Sequence, residues 1–310
     1  MNTNEINKNK YILEDLIEAA LLDSVEWITA QCGGKPQEPD YVAALSTRFT
    51  ERLFNVLRAI FPGNVFSVTG VFCHQKPTVD ISTAKNPELG DLLLVYVDRD
   101  SNGEKVINSL LLQAKISNSS VMKVSNTDLH QLKLYKEWPK FTYHRADALN
   151  GEQRDIQPKT INDGAQYLLI DNNPHTNGLL GGAGTFPMGC AIPDRILKLD
   201  ESFACEIVRF LKFKAGRVID NDYHTTKDDW SRMIWELLFI AADKFSKRKN
   251  AHLSSFPREK EFVNLSTEGF RESLIENVEF LQANSNYLEE NGGVSVILIE
   301  SGNEQRNFES

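Results

Sequence analysis

Two apolar runs on either side of an Asn-Gly pair constrain this chain more than any other feature. Asp91–Val97 (DLLLVYV) is almost unbroken in apolar residues, and Val106–Ile116 carries Leu110-Leu111-Leu112. Between them lies Asp98–Lys105, with Asn102-Gly103 inside it. A run without polar alternation marks a strand covered on both faces. Asn-Gly between two such runs marks a hairpin. The start of the first strand then lies beside the end of the second, which brings Asp91 close to Gln113 and Lys115. Side chains two apart on a strand share a face, so Gln113 and Lys115 point the same way. Two polar residues at the end of a buried strand need partners or a task.

Helices and strands alternate around this hairpin. Over residues 10–31, Leu13, Leu16, Ile17, Ala20, Leu21, Val25 and Ile28 follow helical spacing, and Gly33-Gly34 ends the pattern. Residues 40–61 predict a second helix, with Asp40 as its N-cap and Pro62-Gly63-Asn64 as its stop. Val65–Cys73 predicts a strand. After the hairpin, Ser125-Asn126-Thr127-Asp128 has capping-box form. It opens a helix carrying Leu129, Leu132 and Tyr135, which Pro139 ends. Residues 139–164 read as an irregular excursion, and Gln166–Asp171 as a buried strand. The order over 40–171 is helix, strand, strand, strand, helix, strand.

Residues 172–195 are loop-like. Gly178–Gly184 (GLLGGAG) is glycine-rich, but Pro187, Gly189 and Pro193 stand where a phosphate-binding helix would open. The last third predicts helices near 202–213, 229–247 and 267–283, then a strand at Val294–Ile299. The expected organisation is an N-terminal helix (1–36), an α/β core (37–200) and a mainly helical region (201–310) packed on that core.

Charge and cysteine usage narrow the classes. The net charge of −9 argues against bulk attraction to nucleic acid or an anionic membrane. It is unevenly spread. Residues 265–310 hold nine acids and two bases, and residues 1–36 hold six acids and three bases. The middle, 37–264, has 29 bases and 28 acids. No apolar run approaches the ~18 residues that span a membrane, and no apolar leader follows Met1–Lys10. The four cysteines (Cys32, Cys73, Cys190, Cys205) show no CxxC or Cys/His metal spacing. A cytoplasmic protein with free thiols is the expectation.

A carboxylate, an amide oxygen and an ammonium in one small space suit phosphodiester hydrolysis. A metal there neutralises the phosphate and lowers the pKa of a bound water, and Mg²⁺ prefers a few hard oxygens. Asp91 offers a charged oxygen and Gln113 a neutral one. Lys115 either stabilises the developing charge or orients the attacking water.

These residues and this element order resemble the PD-(D/E)XK nuclease superfamily, the restriction-endonuclease-like fold. That family has an α-β-β-β-α-β core, an Asp opening one core strand and (D/E)-x-K on the next. Gln113-Ala114-Lys115 is similar to the Q-x-K variant of Mrr-like restriction enzymes, which leaves the metal site one charge poorer. The resemblance covers about 130 of the 310 residues. It implies a mixed β-sheet flanked by helices, and Mg²⁺ or Mn²⁺ held by Asp91, Gln113 and Glu51, the last on the preceding helix. An ordinary surface acid paired with Arg48 or Asn55 is the other reading of Glu51. Gln131 occupies the place where the family carries a Gln or a basic residue on the helix after the motif. The resemblance also implies DNA as substrate, in prokaryotic defence against foreign DNA, with RNA using the same metal site as a further reading.

Lys133, Lys136, Lys140 and Arg145, beside Trp138, Phe141 and Tyr143, are candidate contacts to a phosphate backbone. Lys244–Lys249 forms a second basic cluster. A solvated surface is the other reading of each. The runner-up function is a catalytically silent module of the same fold, whose acidic last third contacts a partner protein or a second copy of the chain.

Overall fold

The computed structural model describes residues 1, 3–73, 77–159, 164–173, 186–247, 262–267, 274 and 293–303. The Gly178–Gly184 run, the basic residues of 244–249 and nearly all of the helix expected near 267–283 lie outside what is described of backbone or side chain.

The chain opens with α1 (Thr3–Lys8) and α2 (Lys10–Gln31). Helix α2 buries Leu13, Ile17, Ala20, Leu21, Val25 and Ile28, as their spacing predicts, but leaves Leu16 exposed with Tyr11 and Ile12. The helix expected from Asp40 begins two residues earlier. Gln37 is its cap: the Gln37 N–H donates to the Asp40 carboxylate at 2.7 Å, completing a capping box. The helix runs in three pieces, α3 (Glu38–Ala44), a π-helical turn at Leu45–Phe49, and α4 (Thr50–Ile60).

Strands β1 (Asn64–Phe72), β2 (Thr78–Asp80), β3 (Leu92–Arg99), β4 (Lys105–Ile116) and β5 (Val121–Lys123) follow. Then come α5 (Leu129–Glu137), β6 (Phe141–His144), β7 (Gln153–Arg154), β8 (Ala165–Ile170), β9 (Met188–Ala191), β10 (Ile196–Lys198) and β11 (Glu201–Ser202). The last elements are α6 (Phe203–Leu211), β12 (Arg217–Ile219), α7 (Asp229–Lys247), β13 (Phe262–Thr267) and β14 (Ser295–Asn303).

The main sheet is mixed, in the order β11-β9-β8-β4-β3-β14-β1-β13, with β12 also paired to β4. Strands β3 and β4 form the expected antiparallel hairpin, in register from Leu92↔Leu112 to Arg99↔Lys105. The Asn-Gly pair lies in a five-residue connection, not a two-residue turn. The Asp100 carboxylate accepts from the N–H groups of Asn102 and Glu104, and Gly103 takes φ 83°. Strand β8 lies parallel to β4, and β14 parallel to β3.

Residue parity sorts the hairpin between two cores. Leu93, Val95, Val97, Ile107 and Leu111 join one apolar cluster with Leu132, Tyr135, Trp230 and Ile234 from α5 and α7. Leu92, Leu94, Tyr96, Leu110, Leu112 and Ala114 join another with Ile17, Leu21, Leu45, Leu53 and Ile207 from α2, the 38–60 helix and α6. The sheet is therefore the middle of three layers. This double burial is why both runs lack polar alternation.

Three expectations change. The region over 201–310 does not only pack on the core: β14 sits between β3 and β1, pairs both along its length, and makes the last third part of the central sheet. The 139–164 excursion holds β6 and β7, which pair with β2 as a separate three-stranded sheet. Their four and two residues are too short to show a period in sequence. A buried ion pair fixes this small sheet to α7. Arg154 is bonded to Glu236, and Glu236 also accepts from the Tyr143 hydroxyl at 2.9 Å. Removing one partner of such a pair strands a buried charge. Finally, the loop-like 172–195 stretch contains β9.

Gly70 shows how closely helix and sheet approach. A Cβ there would stand 1.9 Å from the Ser46 carbonyl oxygen in the π-turn and 2.9 Å from the Thr50 methyl. At Gly63 a Cβ meets nothing within 4 Å. Gly70→Ala is therefore expected to lower unfolding stability by about 3 kcal/mol or more, whereas Gly63→Ala changes it by less than about 1 kcal/mol. Urea unfolding of the two variants beside the wild type checks this.

Candidate functional site

The functional candidates gather where β3 begins and β4 ends. Asp91 precedes β3, and its N–H donates to the Leu112 carbonyl at 2.9 Å, so the hairpin pairing reaches it. By strand parity its side chain lies on the Leu93 face, and Gln113 and Lys115 lie on the Leu111 face of β4, which is the same layer. One Asp91 oxygen accepts from the Gln113 amide and from the Ala114 N–H, the latter at 2.7 Å. The Gln113 side-chain oxygen is buried and has no hydrogen-bond partner among the described residues.

Helix α5 holds the segment that carries Asp91. The Gln131 amide donates to the Glu88 carbonyl at 2.8 Å, and the Tyr135 hydroxyl to the Leu89 carbonyl at 3.0 Å. Gly90 permits this approach, because a Cβ there would stand 2.7 Å from a Leu111 methyl and 2.8 Å from the Tyr135 hydroxyl. Gln131 is buried, gives an amide N–H to the backbone that carries Asp91, and lines the same cavity as Asp91, Gln113 and Lys115.

Lys115 meets two carboxylates that sequence did not single out as site residues. Its ammonium is 3.6 Å from Glu38 and 3.6 Å from Asp128. Glu38 is the first residue of α3, and its other oxygen accepts from the Ile116 N–H at 3.2 Å. Asp128 precedes α5. The two helix layers thus each send one acid round the end of the sheet to Lys115. These residues line a cavity of about 450 Å³. Glu88, His130 and Arg145 line it too, beside an apolar wall that includes Val42 and Phe72.

Glu51 is not there. It is half exposed, 3.6 Å from Arg48, and does not line the cavity. The 38–60 helix points its N-terminus at the cavity, and thirteen residues at 1.5 Å each put Glu51 roughly 20 Å further along the axis. The carboxylate that this helix brings to the site is Glu38. Lys133 and Lys136 also lie outside the lining, and Lys136 pairs with Asp194 at 2.7 Å. Glu38 had one sequence signal, its place at the head of the capping-box helix. Arg145 had only its basic neighbourhood.

Burial sets the protonation of the site. Desolvation, with Glu88 and Glu38 adding to it against the Ala114 N–H and Lys115, raises Asp91 from 3.8 to about 7. Burial alone would lower Lys115, but Glu38, Asp128 and Asp91 outweigh it and raise its pKa. Lys115 is thus a cation over the working range. Burial lowers His130, and Lys85 and Lys115 add to this against Asp128.

A divalent cation fits the donor set in one respect. The orphaned Gln113 oxygen stands beside a buried carboxylate with nothing to accept from, and a hard cation would satisfy both oxygens. Among the described residues no group of three His, Cys, Asp or Glu stands ready for a metal, so any such site depends on the neutral amide. No helix among the described residues is long and apolar enough to cross a membrane. All four cysteines are free.

No family model matches the chain, and neither does any curated protein or solved structure.

The raised Asp91 pKa has a direct consequence for stability. The folded value of about 7 lies above the ordinary 3.8. Ionising Asp91 in the folded state therefore costs stability, and the loss accumulates as pH rises from about 4 through 7. Three units correspond to about 4 kcal/mol at most. Asp91→Asn removes this loss. The variant should match the wild type near pH 4.5 and exceed it by several kcal/mol at pH 8, as read by urea unfolding at the two pH values.

Proposed function

We propose that this protein is a metal-dependent nuclease of restriction-endonuclease-like fold, hydrolysing DNA phosphodiester bonds in defence against foreign DNA. The observation that carries this is the buried Asp91 carboxylate beside the orphaned Gln113 oxygen, with Lys115 on the same strand face at a cavity. Counting only strands of the main sheet, the order helix, β1, β3, β4, α5, β8 supports it, with β2, β5, β6 and β7 set in two smaller sheets. So does the antiparallel β3–β4 pair followed by parallel β8. One departure is that β14 separates β1 from β3.

In this reading Asp91 and Gln113 hold Mg²⁺ or Mn²⁺, with Glu38 in the place that sequence suggested for Glu51. A metal held there would supply charge neutralisation at the phosphate and a lowered pKa for water. Lys115 stays protonated between Glu38 and Asp128, so its role is electrostatic: it stabilises the charge that develops on the phosphate oxygens. Gln131 and Tyr135 keep the Glu88–Asp91 segment in place.

The second reading, a catalytically silent module with a protein partner, draws on the Gln113–Asp91 hydrogen bond. It closes the Asp91 and Gln113 side chains on each other, while Glu38 and Asp128 are engaged with Lys115.

Plasmid DNA with Mg²⁺ tests the first reading. The wild type should cut, and Asp91→Asn and Lys115→Ala should each lose about 100-fold or more. Glu38→Gln should lose about 10- to 100-fold, while Glu51→Gln should cut at the wild-type rate. Full activity in either of the first two variants would overturn the assignment. Calorimetry separates the second reading, because a silent module shows no saturable Mg²⁺ binding that Asp91→Asn removes.

A further inference from the structure

The strand that carries Lys115 leads straight into a small β-ribbon that the cavity does not use. After Ile116 the chain turns through Ser117–Ser120 and forms β5, which pairs antiparallel with β10 as a separate two-stranded sheet. Its register is Ile196↔Lys123, Leu197↔Met122 and Lys198↔Val121. Alternation is strict. Leu197 is fully buried and Met122 packs against the same core as α5. Val121, Lys123, Ile196 and Lys198 are all exposed on the other face, with Val121 51 % and Ile196 48 % accessible.

Burying Leu197 fixes the parity, so the four outward residues cannot turn inward. The four outward residues include two cations; a neighbouring acid, the exposed Asp194, pairs with Lys136 at 2.7 Å and is also stabilised by Lys198. Neither Lys123 nor Lys198 makes an ion pair among the described residues. They occupy diagonal positions, about 7–8 Å apart at the backbone. The ribbon is also held firmly. Val124 donates to the Arg195 carbonyl at 3.1 Å, Leu199 to the Ser120 carbonyl at 2.8 Å, and the Arg195 guanidinium donates to the Val124 carbonyl at 2.7 Å and to Asn126 at 2.5 Å. Both ends of β5 therefore run within a few residues of the cavity, through Lys115 on one side and Asp128 on the other.

We propose that this ribbon is a duplex-DNA docking element, with Lys123 and Lys198 on backbone phosphates and Val121 and Ile196 in the major groove; this rests on the nuclease reading. A two-stranded ribbon fits a groove about 12 Å wide, and apolar side chains meet thymine methyl groups there. The lysines supply attraction at one place on a chain whose net charge of −9 supplies none overall. The ribbon's attachment on both sides of the Lys115–Asp128 pair then carries the bound duplex to the cavity.

The test is fluorescence binding of a 20-base-pair duplex in EDTA across a salt series, with the full chain. The variants are Lys123→Ala/Lys198→Ala, Val121→Ser/Ile196→Ser and, as a control on exposed lysines of the N-terminal layer, Lys8→Ala/Lys35→Ala. Circular dichroism confirms folding. The lysine variant should bind at least about 10-fold more weakly at low salt, with the slope of log K against log salt reduced by about two. The serine variant should weaken binding without changing that slope, and the control should match the wild type. A wild type that cuts and binds, with a lysine variant of equal affinity and slope, overturns the ribbon proposal and leaves the nuclease reading standing. A wild type that neither binds nor cuts overturns both. If the serine variant keeps full DNA affinity but loses self-association in sedimentation, the face docks a second copy of the chain, and the proposal is again overturned.

Discussion

Strand β4 is the constraint on which the rest depends. It is paired on both edges, with β3 antiparallel on one side and β8 parallel on the other, and it is buried on both faces. A one-residue slip would exchange Leu110 and Leu112 with Leu111 and drive Gln113 and Lys115 into the opposite layer. Leucine would replace leucine in the two apolar layers, so the register rests on pairing at both edges and on keeping Gln113 and Lys115 out of the opposite apolar layer.

The end of that strand is where two helix layers meet. Glu38 arrives from one and Asp128 from the other, and both close on Lys115. Asp91 arrives from the hairpin partner, held by Gln131 and Tyr135 through backbone carbonyls. The arrangement is costly in isolation: a buried carboxylate is pushed towards neutrality, and an amide oxygen is left without a donor. A bound cation relieves both at once, and this is the physical argument for reading the cluster as functional.

Much of this was legible in sequence because it is local. The hairpin, its bounds to within two residues, and the shared face of Gln113 and Lys115 follow from run length, Asn-Gly and a period of two. Helices 10–31 and 229–247 follow from apolar spacing, which double burial does not erase. What was not legible is what depends on distant apposition. Val294–Ile299 announced a strand, but nothing in it says that it slides between β1 and β3, some two hundred residues away. Glu38 and Glu51 sit on the same helix, and only the direction of that helix decides which reaches Lys115. Strands β6 and β7 were too short to carry a pattern. Gln131 was found at the right place, but its amide faces a backbone carbonyl, a choice set by how α5 packs on the Glu88–Asp91 segment.

The central claim is that Asp91 and Gln113 together hold a divalent cation. Crystals grown with Mn²⁺ and measured at the manganese absorption edge test it most directly. One anomalous peak is expected within coordination distance of an Asp91 oxygen and the Gln113 side-chain oxygen, absent in crystals of Asp91→Asn. Well-ordered crystals with no anomalous peak at this site under millimolar Mn²⁺ would contradict it.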